Sequence, residues 1–327
     1  MGQWKWVVSI LLTGSLIGLA GCSGKDAAEK VTKPAKQAET KVPEEKKKEE
    51  EPKPVVINVI DPKTKSIIKT FMPAEMGYEA DPEAYKKELE KWARELARGT
   101  DTTPGYDQRM VLDKIKNGEV IKGKPQIILE EAELVERVLA ASLKGGDVEL
   151  PLYEKESGYK PEDLDSLDDV VLASFSTYFS SGVDGRAKNI ELSAKAIDHI
   201  IVGNGDFFSF NTTVGPSDAA HGYQKAKEIV DKKLVDGIGG GICQTSSTLF
   251  NAVDKVGVSY VEKHHHSLSV GYVPAGRDAT VSYGGKDFRF QNTSGVPFLI
   301  KTIYQNGKLT VEIRTSAAYK QLYVNGS

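Results

Sequence analysis

The stretch Gly239-Gly240-Gly241-Ile242-Cys243-Gln244-Thr245-Ser246-Ser247-Thr248-Leu249-Phe250-Asn251-Ala252 opens on three glycines and then runs on without a breaker. Three glycines let the backbone turn tightly and approach another group closely. The residues after them read as a helix whose apolar positions are Leu249, Phe250 and Val253. Cys243 then falls near a helix N-terminus, where unsatisfied amides and the helix dipole favour thiolate over thiol. The same geometry offers donors to an oxyanion, either Gln244 or neighbouring backbone amides.

Downstream comes Glu262-Lys263-His264-His265-His266-Ser267, then Asp278 within Gly276-Arg277-Asp278-Ala279-Thr280-Val281. If the histidines lie on a strand, His264 and His266 share one face and His265 takes the other. Cysteine on a helix, histidine on a strand, then an orienting acid is the order used by papain-like and transglutaminase-like hydrolases. In that reading Cys243 is the nucleophile, His266 the base with His264 as its alternative, and Asp278 fixes the imidazole tautomer. Three other readings stay open. Cys243 is a small buried hydrophobe, the histidines are a polar strand end, and Asp278 caps a turn with Arg277. Or Cys243, His264 and His266 form a His₂Cys zinc set that lacks an evident fourth ligand; no other cofactor is in question. Or the protein only binds, the loop Gly239, Gly240 and Gly241 shaping a groove in which Asn211, Tyr223 and Tyr272 touch the ligand. His199 and His221 read as ordinary polar positions.

Around this centre the pattern is mixed. VLASFSTYFS at 171–180 reads as a strand and 186–201 as a helix. Short strands are expected at 270–273, 280–283, 288–290, 298–304 and 309–313. Upstream, VVINVI and SIIKTFM flank a DPKTK turn and read as a hairpin. A helix is predicted over Pro82–Arg98, with Asp81 as N-cap, Pro82 in the first turn and Gly99 as its stop. Tyr85, Leu89, Trp92 and Leu96 line one face of it. A second helix is expected at 130–143 with Leu134, Val138 and Leu139 inward, then a strand in DVELPLY. The acidic, turn-rich GYKPEDLDSLDD at 158–169 marks a domain boundary.

The N-terminus reads as an address. Lys5 precedes an apolar run of signal-peptide length, too short for a comfortable membrane-spanning helix. Leu19-Ala20-Gly21-Cys22 is similar to the bacterial lipobox, which implies cleavage before Cys22 and lipidation of that residue. Residues 23–54 hold nine Lys, eight Asp or Glu, four Pro and no aromatic residue, a composition that cannot bury enough surface to offset its ordering entropy. A tether between membrane and wall is expected. The whole chain, 327 residues with net charge −3 and 39% hydrophobic residues, has a globular core but no basic excess for nucleic acid.

The chain resembles the VanW family over about 170–315. The resemblance rests on ordered motifs: Asn189-Ile190 in the early helix, Phe208-Ser209-Phe210-Asn211 with Gly215-Pro216, Gly222-Tyr223-Gln224-Lys225-Ala226, the glycine–cysteine stretch, His264 with His266-Ser267, Tyr272-Val273-Pro274, Gly276 to Val281, and Asp287-Phe288 with Phe290 and Asn292. Lys263 stands where the family commonly has Arg. The resemblance implies an envelope protein acting on or binding peptidoglycan or its peptide stems. The region 55–165 is similar, more faintly, to a peptidoglycan-binding module.

The expected architecture is thus α+β. A signal peptide (1–21), the lipidated Cys22 with its tether (22–54) and a small α+β module (55–165) precede a VanW-like domain (168–315) and a tail (316–327). In the VanW-like domain the cysteine helix packs on a mostly antiparallel sheet supplied by strands from 260–314. The expected place is the extracytoplasmic face of a bacterial cell membrane. The expected partners are that membrane, through Cys22, and wall peptide, with hydrolysis or acyl transfer as the reaction if Cys243 is catalytic.

Overall fold

A computed structural model describes residues 53–230 and 232–326. The expected signal peptide, the lipidated Cys22 and nearly all of the tether lie outside the described residues. No helix among the described residues is long and apolar enough to cross a membrane.

Strands β1 (Ile57–Ile60) and β2 (Ile67–Phe71) form the expected hairpin. Helix α1 (Pro82–Arg98) starts where its cap residues say it should. Asp81 accepts a hydrogen bond from the Ala84 N–H, and the Gly99 N–H closes the helix on the Glu95 carbonyl. Tyr85, Leu89, Ala93 and Ala97 are its buried face, while Trp92 and Leu96 are only half-buried. Each large apolar side chain fully buried there contributes about 1.5–3 kcal/mol. The chain continues through β3 (Lys114–Lys116), β4 (Glu119–Ile121), β5 (Gln126–Leu129) and α2 (Glu131–Ala141), then β6 (Gly146–Glu149) and β7 (Leu152–Lys155). α2 buries Leu134 and Val138 as expected, whereas Leu139 stays half-buried. DVELPLY is therefore two strands. Pro151 has no N–H for a ladder, and the halves part company: β6 pairs parallel to β1, and β7 pairs with β5.

The second half comprises β8 (Val170–Tyr178), α3 (Asp184–Ile197), β9 (Ile200–Val202), β10 (Phe207–Ser209), α4 (Phe210–Val214), β11 (Lys225–Val230), β12 (Lys233–Ile238), α5 (Ile242–Val253), β13 (Ser259–Glu262), β14 (Arg289–Gln291), β15 (Phe298–Gln305), β16 (Lys308–Thr315) and α6 (Ala317–Gly326). The fold is α+β with mostly antiparallel pairing. Its main sheet runs β4-β3-β9-β15-β16-β8, with every pair antiparallel. α5 packs on β8 and β16.

Three expectations change here. The stretch 186–201 is not one helix. α3 ends at Ile197, Asp198 is extended, His199 adopts φ 58°, and Ile200 to Val202 enter the sheet as β9. The sheet under the cysteine helix is also not built from 260–314 alone. Only β15 and β16 come from that span; β8 and β9 precede the cysteine, and β3 and β4 come from the N-terminal half. The stretches 270–273 and 280–283 are irregular loop, not strand.

Residues 53 onward form one compact unit. Met110 and Leu112 join the core of α5 and β15, and Arg109 reaches the buried Asp287 at 3.1 Å. Asp113 takes the Gly123 N–H at 2.7 Å and also bonds Lys122 and Tyr159.

Candidate functional site

Of the residues of α5, Cys243 alone is not buried. The rest of the helix is held from every side, and its polar side chains are all spent. Thr245 bonds Ser193 and Thr248 bonds Thr177. The Ser246 hydroxyl donates to the Ala279 carbonyl at 2.5 Å, and Ser247 accepts the Ala279 N–H at 2.9 Å. Asn251 donates to Arg277 O at 2.8 Å and accepts from Arg277 Nε at 2.8 Å. These bonds fix the loop that carries Asp278 against the helix that carries Cys243.

The glycines make this possible at two positions. A Cβ on Gly240 would sit 2.5 Å from the Lys227 carbonyl oxygen and 2.8 Å from Ala226 C, both backbone atoms of β11. Gly241, the N-cap of α5, has φ 117° and lies against the stem and carbonyl of Arg186. Asn189 clamps the same junction. Its Nδ2 donates to Gln224 O at 2.8 Å and Gly240 O at 3.0 Å, while Oδ1 accepts the Gln224 N–H at 2.7 Å.

Cys243 faces His266. The thiol Sγ lies 3.5 Å from Thr280 Oγ1, 3.4 Å from Val281 O and 3.5 Å from the Val281 N–H nitrogen. Burial pushes the thiol up. The His266 imidazole beside it, the Val281 N–H and Thr280 outweigh burial and hold Cys243 below the usual thiol range. For His266, burial favours the neutral ring, but Cys243 and Asp278 more than reverse this, so its pKa is raised. The pair favours thiolate and imidazolium. Asp278 Oδ2 accepts both the His266 N–H at 2.7 Å and Nδ1 at 2.6 Å, while Oδ1 takes His265 Nδ1 at 2.8 Å. Burial raises the Asp278 carboxyl, and these bonds with the histidine charge overcome that and bring it down to about 2. With Nδ1 bound to Asp278, Nε2 is left for the thiol.

The histidines do not alternate as on a strand, because β13 ends at Glu262. His265 and His266 both turn to Asp278, and His264 pairs with Glu262 at 2.9 Å. His264 therefore stands away from Cys243, and the expected Cys243, His264 and His266 zinc ligands do not converge. Among the described residues no group of three or more His, Cys, Asp or Glu side chains is arranged to hold a metal ion.

Cys243 and His266 open on a cleft of about 800 Å³. Gly239, Gly240, Gly241, Asn211 and Tyr272 line it, as does the hairpin β11–β12. The Lys232 N–H on that hairpin bonds Ser267 Oγ on the opposite loop at 3.0 Å. Asn211 is at the wall, but both its amide protons are spent on the Ser282 and Lys286 carbonyls. Tyr223 is elsewhere. It is buried in the core, where loss of water pushes its hydroxyl up to about 12. Gln244 borders the cleft, yet its Nε2 donates to Thr177 Oγ1 at 3.0 Å and Tyr178 O at 3.1 Å, which leaves no side-chain proton for an oxyanion. The Cys243 N–H, in the first turn of α5, makes no backbone hydrogen bond to the preceding loop among the described residues and remains a candidate donor. The sequence pattern gives no role to Arg186. Its guanidinium also lines the cleft, 5.8 Å from the Tyr272 ring centre. A cation at the start of a helix is an ordinary surface feature in sequence, and only the fold turns it inward.

The fold and site define an α+β protein with a thiol–imidazole–carboxylate group on the wall of an open cleft. A family model described as "VanW like protein" matches residues 185–314. The chain is 41% identical over 202 residues to "Uncharacterized protein YoaR" of Bacillus subtilis (strain 168), covering 61% of this chain and 67% of that protein. It is 25% identical over 151 residues to "Vancomycin B-type resistance protein VanW" of Enterococcus faecalis (strain ATCC 700802 / V583), covering 44% of this chain and 55% of that one. The chain belongs to the VanW family. No solved structure matches it.

Proposed function

We propose that this protein is a thiol enzyme of the bacterial cell envelope that hydrolyses or transfers acyl groups on the peptide stems of peptidoglycan. The observation that carries the proposal is the placement of Cys243: the one accessible side chain of a buried helix, beside an imidazole oriented by a buried carboxylate. The thiolate attacks a carbonyl carbon, and the tetrahedral oxyanion takes the Cys243 N–H. His266 Nε2 gives its proton to the departing amine, leaving a thioester on Sγ. Water or an acceptor amine then attacks the thioester and passes its proton to His266; the acid or new amide leaves and Cys243 returns as thiolate.

The envelope assignment draws on the lipobox-like sequence before Cys22, on the charged tether, and on the name of the enterococcal relative, which ties that protein to vancomycin resistance. A lipid on Cys22 would hold the enzyme at the extracytoplasmic face of the membrane, with residues 23–54 spanning toward the wall. The test is turnover of purified wall-peptide fragments by the wild type and by Cys243→Ala, with unfolding midpoints recorded for both. Loss of turnover with an unchanged midpoint is expected. Equal turnover would overturn the proposal, and equal fragment binding without turnover in either protein would make this a binding module.

A further inference from the structure

Arg186 is a half-buried cation with no carboxylate partner among the described residues. Among the described residues no carboxylate lies within ion-pair distance of its guanidinium. It carries five N–H donors, and its one side-chain hydrogen bond goes from Nη2 to the neutral Gln244 Oε1 at 2.7 Å. The anion the cleft itself offers is the Cys243 thiolate, which favours the charged guanidinium, but no carboxylate partners it. Burial pulls the Arg186 pKa down by more than Tyr272 and Cys243 raise it.

The chain has nevertheless built a seat for it. Gly241 has no Cβ where the Arg186 stem passes, at 3.1 Å from Cγ to the position a Cβ would take. Gln244 is pinned by Thr177 and Tyr178 so that Oε1 points at the guanidinium. The Tyr272 ring stands beside it, and the Tyr272 hydroxyl is buried with no hydrogen-bond partner among the described residues. The one carboxylate in the cleft lining, Glu228, belongs to β11 and makes no ion pair with Arg186. A fixed, half-buried guanidinium with unused donors and a neighbouring unpaired hydroxyl is complementary to a carboxylate.

We infer that Arg186 is the recognition residue for a ligand carboxylate beside Cys243, so that the acyl substrate of this cleft is a peptide with a free carboxylate close to the bond attacked. The inference rests on the reading of Cys243 as nucleophile and adds the charge of what it attacks. An amidated or internal peptide would leave Arg186 unpaired and bind more weakly.

Two alkylating agents of similar size, iodoacetate and iodoacetamide, test this without a known substrate. The protein is the full chain with Cys22→Ser, in which Cys243 is the remaining thiol. The quantity read is the ratio of the two rates, which divides out any change in the thiol itself. The wild-type ratio is expected to exceed that of N-acetylcysteine about tenfold, the scale of one charge-assisted hydrogen bond. Arg186→Met should bring it down to the free-thiol value, and Arg186→Lys should keep part of it. A wild-type ratio equal to that of N-acetylcysteine would overturn the inference even if Arg186→Met fails to fold; so would an unchanged ratio in Arg186→Met. Failure of the nucleophile reading shows separately, as an iodoacetamide pH profile indifferent to His266→Ala.

Discussion

One oxygen of Asp278 holds His266 at two points: Oδ2 accepts the His266 backbone N–H at 2.7 Å and its Nδ1 at 2.6 Å. The imidazole can neither swing nor choose its tautomer freely, and its other nitrogen is committed to the thiol side. Asp278 is in turn held by the bonds of its loop to Ser246, Ser247 and Asn251 of α5. The cysteine helix thus positions its own base through a neighbouring loop.

Replacing Asp278 by Asn should keep the shape but offer an N–H or a weaker acceptor where His266 needs an anion. Turnover of wall-peptide fragments is expected to fall roughly a hundredfold or more. The alkylation midpoint of Cys243 should move upward in the same variant. Activity within a factor of two of wild type would show that Asp278 is only a loop anchor.

The low carboxyl pKa of Asp278 also makes a statement about stability. Its folded value of about 2 lies below the unfolded reference of about 3.9. Its contribution is therefore full above pH about 4 and is lost as pH falls through the folded value. Resistance of the wild type to urea should weaken as pH falls through that window. The difference between wild type and Asp278→Asn should shrink as pH drops from about 4 toward 2, and a difference that stays constant would contradict the assignment.

Gly240→Ala puts a Cβ 2.5 Å from the Lys227 carbonyl oxygen, a backbone atom that cannot step aside as a side-chain end can. A loss of about 1–3 kcal/mol is expected from overpacking, read as a lower unfolding midpoint. The same substitution at Gly257, where a Cβ meets nothing within 4 Å but φ is 74°, tests strain without collision.

Asn189→Ala removes three hydrogen bonds at a fully buried position and takes away the partner of the Gly240 carbonyl and of the Gln224 N–H, while the Gln224 carbonyl keeps the Gly239 N–H. The expected cost is about 2–4 kcal/mol. Because Asn189 joins Gln224 to Gly240, the variant should also slow Cys243 alkylation. A midpoint unchanged in urea would mean that α3 and the glycine loop are held by packing alone.

Much of the fold is legible where local chemistry decides. Asp81, Pro82 and Gly99 mark α1 because caps act within one turn. The apolar strand β8 and the pair β15–β16 show in the pattern of their residues. The features that escape the sequence depend on distant partners. Ile200-Ile201-Val202 is too short to separate from a helix tail, and no Gly or Pro marks the break that His199 makes at φ 58°. One overlooked signal is local: Asn117-Gly118, at φ 54° and 81°, is the hairpin turn between β3 and β4. In the site, order and chemistry single out Cys243, His266 and Asp278, and the structure brings them together. The same reasoning points to His264 and Tyr223, which lie elsewhere because Glu262 and the core claim them. Arg186 draws no notice in the sequence because an unpaired charge is visible only once its surroundings are known.

The central claim is a thiolate–imidazolium pair between Cys243 and His266, and the pH dependence of Cys243 alkylation by iodoacetamide tests it most directly. With Cys22→Ser in the full chain, the account predicts a midpoint well below the ordinary thiol value of about 8.5, rising toward that value in His266→Ala. A wild-type midpoint at or above about 8.5, unmoved by loss of His266, would contradict it.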